Sequence, residues 1–290
     1  MITKILLALG CLLMCLFAVY AANAAELQVP QQMTAGTDLT LHPAGSGSAT
    51  LYLFGPDHVE KRGIKLGEEV TISGSALKAS GHYRVVVVKG GEQSVGNFFV
   101  APAKAASANF LARPSRVPVA KNDVISGVAF VFDQYRNLVL TSVPVKFSLS
   151  VGDSTPTSRT ETAKNGVAWV KLDSARKAGA AQFVAQVDDS EVRRVVQQVA
   201  SEPCNLRMKA ERRDNNILVQ TDPIRDCTGN PVPDGTIVTF TQVDANGRST
   251  VDARIKRGIA QAELPASDNA TISVASGVVL GNEIHVGGGR

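Results

Sequence analysis

The sequence predicts an all-β protein that consists of several β-sandwich domains in tandem. Aromatic residues make up only 5% of the chain, whereas valine, threonine, serine and glycine are abundant. Apolar residues recur in short alternating runs bounded by turn residues, which is the pattern of half-buried strands. Helical periodicity is nearly absent beyond the first segment, and turn signals arrive roughly every eight to twelve residues. Sandwiches are therefore favoured over a parallel sheet with crossover helices.

The N-terminal segment has the pattern of a secretory signal peptide, which we place at residues 1–25. Lys4 precedes an apolar run at 5–19, and Ala22 and Ala24 occupy the small-residue positions of a cleavage site. This run of about 15 residues is shorter than the roughly 20 that span a bilayer, which disfavours a membrane anchor. We expect an exported protein, periplasmic or secreted to the cell surface, with no membrane span after signal cleavage.

The cysteines suggest one disulfide bond. Cys11 and Cys15 lie inside the predicted signal peptide, where lipoprotein processing is an alternative to simple cleavage. Cys204 and Cys227 remain in the mature chain, and exported proteins fold in oxidising compartments, so we predict that these two are bridged. Two buried free thiols are the alternative, and a zinc site lacks further ligands nearby.

The net charge gives no argument for a nucleic-acid partner, and we expect none. The formal net charge is +4, and it becomes +3 when Lys4 leaves with the signal peptide, which is too small for polyanion binding by the whole chain. Basic clusters at 207–213 and 254–257 would form a basic stripe if neighbouring strands carry them. More often, such charged side chains are simply solvated on an outward face of a sheet.

The strands and linkers divide the mature chain into three parts. Strand patterns are clear in DLTLHP, ATLYLF, EVTISG, HYRVVVVKGGEQSVGNFFV and GVAFVF, with KGGE as a hairpin turn. Linker patterns occur in VAPAKAASAN near 100–109 and in ASEPCN at 200–205, and we expect the first linker to be the looser. The predicted domains are 26–102, 108–200 and 203–290, each the size of an immunoglobulin-like sandwich.

The last two predicted domains repeat one sequence pattern. The repeat aligns Asp133, Asn137, Val139, Val145, Phe147, Gly166 and Ala168 with Asp226, Asn230, Val232, Val238, Phe240, Gly258 and Ala260. The first five pairs share one offset of 93 residues, and one residue of spacing is lost before the glycine. Such self-similarity predicts duplicated domains.

The repeated residue types suit a turn followed by a strand. The aspartate and the asparagine can hydrogen-bond the backbone of the turn, in which an asparagine or a glycine such as Gly229 can adopt positive φ. The Val-x-Phe that follows places both large side chains on one face of a strand. We therefore assign Asp133, Asn137, Asp226 and Asn230 to a structural turn motif.

The repeat resembles the group 1 bacterial immunoglobulin-like (Big-1) domain of the invasin and intimin adhesins. The resemblance covers 108–290 in two copies and is clearest in the Asp-x-x-Gly-Asn-Pro-Val at 226–232. The middle copy has Arg136 and Leu138 where Gly and Pro are usual, and the first domain lacks the motif. The resemblance implies tandem immunoglobulin-like sandwiches that serve as rod-forming or adhesive modules at the bacterial surface, and it implies no active site.

No constellation for catalysis or for a resident metal stands out. The four histidines are scattered without a two-histidine metal spacing, and there is no Gly-x-Ser-x-Gly motif. Asp188 with Asp189, and Asp244 with Asn246, are possible calcium ligands, but the twelve-residue calcium loop is absent. We predict no catalytic residues, no cofactor and no metal.

Trp169 is the candidate binding residue. If Ala168 and Val170 face the core, the chain's single tryptophan faces outward, and the aligned residue in the last domain is the polar Gln261. An exposed tryptophan is a candidate anchor for a protein, a neighbouring domain or a sugar ring. In the alternative arrangement, the ring lies flat on Lys171 or on a neighbouring strand.

These observations favour an exported, non-enzymatic protein of several immunoglobulin-like domains. Its expected role is that of a spacer, adhesion or protein-interaction module of the bacterial cell envelope, with another protein or an envelope component as partner. The alternative is a carbohydrate-binding or enzyme-accessory module in which Trp169 holds a glycan.

Overall fold

The structure is a computed structural model that describes residues 25–287. The predicted signal peptide lies outside the described residues, apart from Ala25. Strands dominate this range, and its helical content is one short 3-10 turn at Gly74–Ala76, which confirms the predicted all-β class. Within the described range, no helix has the length and apolar character needed to cross a membrane.

The contacts define two compact units. The first contains residues up to Lys104 together with Asp133–Val139, and the second contains Ala105–Phe132 and the chain from Leu140 onward. The sheets nevertheless fall into three consecutive groups, and two of these lie in the second unit. The division into three domains stays a prediction.

The first unit contains a six-stranded and a two-stranded sheet. Its strands are β1 (Ala25–Glu26), β2 (Gln32–Thr34), β3 (Leu39–Leu41), β4 (Gly47–Phe54), β5 (Val59–Leu66), β6 (Val70–Ile72), β7 (Gly81–Lys89) and β8 (Glu92–Ala101). The large sheet has the order β1-β8-β7-β4-β5 with β2 also on β8, and β3 pairs with β6. Alternate residues of the central strands, such as Leu51, Leu53 and Val85, are fully buried because the period of two turns them to one face.

The second unit begins with eight strands in two sheets. They are β9 (Ala105–Arg113), β10 (Arg116–Pro118), β11 (Ile125–Asp133), β12 (Val143–Val151), β13 (Thr157–Ala163), β14 (Val167–Leu172), β15 (Gly179–Val187) and β16 (Ser190–Val199). The sheets have the orders β10-β16-β15-β12-β13 and β14-β11-β9. The predicted linker at 100–109 overlaps this unit, because β9 starts at Ala105 and residues 105–109 therefore belong to a strand.

Three phenylalanine rings fill the core between these two sheets. Phe110, Phe147 and Phe183 are each fully buried, with ring centroids 4.9–6.3 Å apart. Gly127 faces them from β11, where a Cβ atom would lie 2.6 Å from the Phe183 ring. Glycine at this position therefore lets the rings approach the strand.

The chain ends in nine further strands. They are β17 (Pro203–Cys204), β18 (Met208–Arg213), β19 (Asn216–Thr221), β20 (Arg225–Asp226), β21 (Ile237–Asp244), β22 (Gly247–Arg254), β23 (Gln261–Pro265), β24 (Asn269–Ser276) and β25 (Val279–Gly287). The sheets are β22-β21-β24-β25, β18-β19-β23 and the short pair β17-β20.

The repeated phenylalanines occupy equivalent places in these two groups of sheets. Phe147 lies on β12 between β13 and β15, and Phe240 lies on β21 between β22 and β24. Both side chains are 0% exposed. The neighbours differ, since Phe240 packs among aliphatic side chains such as Ile272 rather than against other rings. The fold is repeated, and the core residues around it have diverged.

Candidate functional site

In the last copy, the repeated turn folds around a buried carboxylate. Asp226 is 4% exposed, and its Oδ1 accepts hydrogen bonds from the backbone N–H groups of Thr228 and Asn230, both at 2.9 Å. Gly229 has a φ of +87°, a left-handed conformation that glycine adopts without steric cost. The aspartate thus satisfies the donors of its own turn.

The middle copy builds the same turn without glycine. Asp133 is 1% exposed, and its Oδ1 accepts from the N–H groups of Tyr135 at 2.9 Å and Asn137 at 2.8 Å. Arg136 takes the place of Gly229 with a φ of +68°. The hydrogen bonds from the backbone of the turn to the carboxylate are therefore the same in both copies. They form in the middle copy even though Arg136, which has a side chain, adopts the left-handed conformation there instead of the usual glycine.

The last copy's turn also bonds residues outside itself. The Asn230 Nδ2 donates to the Arg176 carbonyl at 2.8 Å, and its Oδ1 accepts from the Ala178 N–H at 2.8 Å. The Asp226 Oδ2 accepts from the Ser201 N–H at 3.1 Å. These three bonds join 203–287 to the preceding sheets of the second unit, and we call such a set of contacts an Asp–Asn latch.

A matching latch exists inside the first unit. The Asn137 Nδ2 donates to the Lys78 carbonyl at 2.7 Å, its Oδ1 accepts from the Ser80 N–H at 2.8 Å, and the Asp133 Oδ2 accepts from the Ala103 N–H at 2.8 Å. Each of the three partner residues lies 98 positions before its counterpart in the second latch. The repeat therefore includes the turn and also the backbone groups to which the turn is hydrogen-bonded.

Sequence reasoning predicted the turn and missed its partners. A weak signal for them exists, because Lys-Ala-Ser-Gly at 78–81 and Arg-Lys-Ala-Gly at 176–179 share a basic residue and a glycine three positions later. Gly81 and Gly179 have φ values of +152° and +150°, so the two receiving loops also share a backbone conformation.

The latch sets the ionisation of Asp226. Burial acts to raise the pKa of this carboxyl, but hydrogen bonds from the side chains of Asn230 and Thr228 and from the backbone of Asn230 and Ser201 outweigh it. Together they lower the pKa of Asp226 from 3.8 to about 2. The charged form is the one that the folded protein stabilises.

We expect a corresponding loss of stability in acid. Because the pKa of Asp226 is lower in the folded than in the unfolded chain, the stabilisation is complete above about pH 4 and is lost as the pH falls toward 2. It amounts to about 2 kcal/mol. Urea unfolding should show that wild type exceeds Asp226→Asn in stability at pH 5 and that the gap narrows by this amount at pH 2. If the difference in stability between wild type and Asp226→Asn does not change with pH, the claim that the latch stabilises the charged carboxylate is wrong.

The disulfide closes next to the second latch. Cys204 and Cys227 are bonded, with Cα atoms 4.9 Å apart, which confirms the predicted bridge. Cys227 directly follows Asp226, and Cys204 lies on β17, which pairs with β20. The bridge therefore holds the latch turn against the start of the last group of strands.

Trp169 faces solvent on an edge strand. Its side chain is 65% exposed on β14, while Ala168 and Val170 on either side are buried. With Lys164 and Lys171 it lines an open groove of about 670 Å³ between β13 and β14. Neither a cation nor an aromatic ring of residues 25–287 stacks on Trp169. The indole is available to a ligand in this structure.

Asp244 and Arg212, two other residues considered from the sequence, have partners within the chain. The part of the chain that the structure describes contains no cluster of three or more His, Cys, Asp or Glu side chains that could hold a metal. The Asp244 carboxylate accepts from the Asn246 N–H at 2.8 Å, as expected of a hairpin turn. In the basic cluster at 207–213, Arg212 pairs with Asp268 at 2.8 Å, so acids partly neutralise that surface.

Comparisons with known proteins support the fold. No protein-family model and no curated protein sequence matches the chain. The solved structure of FdeC, an Escherichia coli adhesin, is similar with a TM-score of 0.63 and 14% identity over 92% of this chain and 98% of the solved FdeC chain. InvD of Yersinia pseudotuberculosis has a TM-score of 0.51 and 12% identity over 93% and 100%. The chain has the immunoglobulin-like fold of these proteins, which confirms the predicted resemblance at the level of fold.

Proposed function

We propose that the chain is an exported, non-enzymatic interaction module of a bacterial cell envelope. In this role, latched immunoglobulin-like sandwiches act as a spacer that holds a binding surface in a fixed orientation. The observation that carries the proposal is the 65% exposure of Trp169, because a large aromatic side chain left in water on a folded sheet suits the anchor of an interface.

Two further observations support this proposal. The second Asp–Asn latch joins successive groups of sheets within the second unit, as a spacer requires, and the disulfide holds the latch turn in place within the last group. FdeC, which shares the fold, is an adhesin. The envelope location agrees with the predicted signal peptide and with the disulfide, which forms in oxidising compartments.

A binding assay tests the proposal. We expect the labelled mature protein to bind cells, extracellular matrix proteins or isolated bacterial envelopes, and Trp169→Ala to weaken that binding at least about tenfold, since an anchoring tryptophan often contributes 2 kcal/mol or more. Gln261→Ala is the matched control, because Gln261 is the repeat's counterpart of Trp169 and should have no effect. Wild-type protein that binds none of these surfaces would argue against an adhesive role.

The second candidate function is carbohydrate binding. The groove beside Trp169 favours it, because Lys164 and Lys171 place cations next to a ring on which a sugar can stack. A glycan array included in the same assay separates the two functions. Binding of one glycan class by wild type, and its loss in Trp169→Ala, would favour this candidate over a protein partner.

A further inference from the structure

The two Asp–Asn latches are anchored in different ways. In the first latch, the turn contains Tyr135, which is half-buried and packs against the apolar core of the first unit. The ring lies so close to Gly36 that a Cβ atom on this glycine would overlap the phenol. Gln134 precedes the tyrosine, and the turn sequence contains no cysteine. Apolar packing, which does not depend on redox conditions, therefore holds this turn.

The second latch has a threonine in place of this tyrosine. Thr228 lies 93 positions after Tyr135. Its hydroxyl donates to the Asp226 carboxylate at 2.8 Å and accepts from the Asn230 Nδ2 at 2.7 Å. Both bonds lie inside the turn, so they do not attach it to a neighbouring segment.

The disulfide supplies the anchor in the second latch. Cys227 occupies the position of Gln134, directly before the threonine. Its partner Cys204 lies three residues after Ser201, whose N–H donates to the latch carboxylate. The strand pair β17-β20, which joins the same two segments, is only two residues long. The covalent bond is therefore the strongest connection between the turn and the segment at 201–204.

The bridge can be attacked from solvent. Cys227 is exposed, and Cys204 is half-buried. In thiol–disulfide exchange a thiolate must reach a sulfur atom, and exposed disulfides are the ones that exchange most readily. A soluble dithiol can therefore reduce this bridge in the folded protein.

We propose that the Cys204–Cys227 bridge is a redox-controlled lock on the second latch. A thiolate of a dithiol reductant attacks one cystine sulfur and forms a mixed disulfide, and the other cysteine leaves as a thiolate. The second thiolate of the reductant then attacks the reductant's own sulfur in that mixed disulfide, which releases the first cysteine and leaves the reductant as a disulfide. Two electrons pass from the dithiol to the cystine, and the two cysteines take up the two protons of the dithiol.

The lock controls how firmly 203–287 is held to the preceding sheets of the second unit. In the oxidised protein, the bridge keeps the latch turn beside its partners, and this junction is rigid. In the reduced protein, the hydrogen bonds of the second latch break more often, while the first latch stays closed. The inference concerns the chain alone, so it stands or fails independently of Trp169 and of any binding partner.

Hydrogen exchange on the intact mature chain, with and without dithiothreitol, tests the lock. Four backbone amides donate hydrogen bonds in each latch, and the two sets match position by position. They are Ala178, Ser201, Thr228 and Asn230 in the second latch, and Ser80, Ala103, Tyr135 and Asn137 in the first. We expect reduction to speed exchange at least about tenfold in the second latch and less than about twofold in the first.

The double variant Cys204→Ser and Cys227→Ser is the matched control. Its second latch should exchange as fast as that of reduced wild type, and dithiothreitol should not change this rate. Circular dichroism should show intact sheets in the variant and in reduced wild type. If the sheet signal is lost on reduction, the bridge holds the fold rather than the latch, and the proposal is wrong.

Three further results would overturn the lock. If the mass of the folded protein shows no free thiols after dithiothreitol, the bridge is not open to reduction. If the amides of the second latch are as protected after reduction as before, the bridge only restricts the unfolded chain. If both latches accelerate equally, reduction loosens the chain as a whole rather than one junction.

Discussion

Replacing Phe147 or Phe240 with alanine should destabilise the protein by about 3–5 kcal/mol, the range for a fully buried aromatic side chain. Each ring is 0% exposed and lies on a strand that is paired on both sides, so the neighbouring strands cannot collapse into the cavity. Guanidinium unfolding followed by circular dichroism measures the loss.

Phe54→Ala is the matched control for this pair. Phe54 is 41% exposed at the end of β4, so its removal leaves no enclosed cavity and should cost less than about 1 kcal/mol. If Phe147→Ala or Phe240→Ala lowers the free energy of unfolding no more than Phe54→Ala does, the repeated core is contradicted.

The disulfide should contribute about 3 kcal/mol. It closes a loop with a sequence separation of 23 residues, and most of its effect comes from restricting the unfolded chain. The double variant Cys204→Ala and Cys227→Ala should therefore lose about this much stability. The loss should lie in 203–287, where the bridge holds the latch turn.

Reductant supplies the control for the disulfide. It should lower the stability of wild type to that of the double variant and leave the variant itself unchanged. Equal stability of wild type with and without reductant, or a free-thiol mass from non-reduced protein, would be incompatible with this contribution.

Much of the fold could be predicted because its central strands alternate in polarity. ATLYLF and HYRVVVVKGGEQSVGNFFV became β4, β7 and β8, and the hairpin turn falls at Gly90 and Gly91, both with positive φ. Strands at the sheet edges were missed. β5 has the sequence VEKRGIKL and β13 has TSRTETA, and since little of either strand is buried, neither shows a clear apolar period.

The sequence predicted the parts of the candidate site that are formed by particular side-chain types, and it missed the parts that are formed by the backbone. Alternation around Trp169 placed the indole outside, and the repeat spacing identified Asp226 and Asn230. The latch partners were missed because a backbone carbonyl such as that of Arg176 can belong to any residue type. The outward position of Val128, directly opposite Trp169, was missed because GVAFVF is apolar almost throughout and shows no alternation in polarity.

Hydrogen exchange on the intact mature chain tests most directly the central claim of two matched sandwiches, each with its own core. Phe147→Ala should speed amide exchange mainly in 105–199, and Phe240→Ala should do so mainly in 203–287, because each ring packs within its own pair of sheets. If either substitution accelerates exchange equally in both segments, the sandwiches share one cooperative core and the claim is wrong.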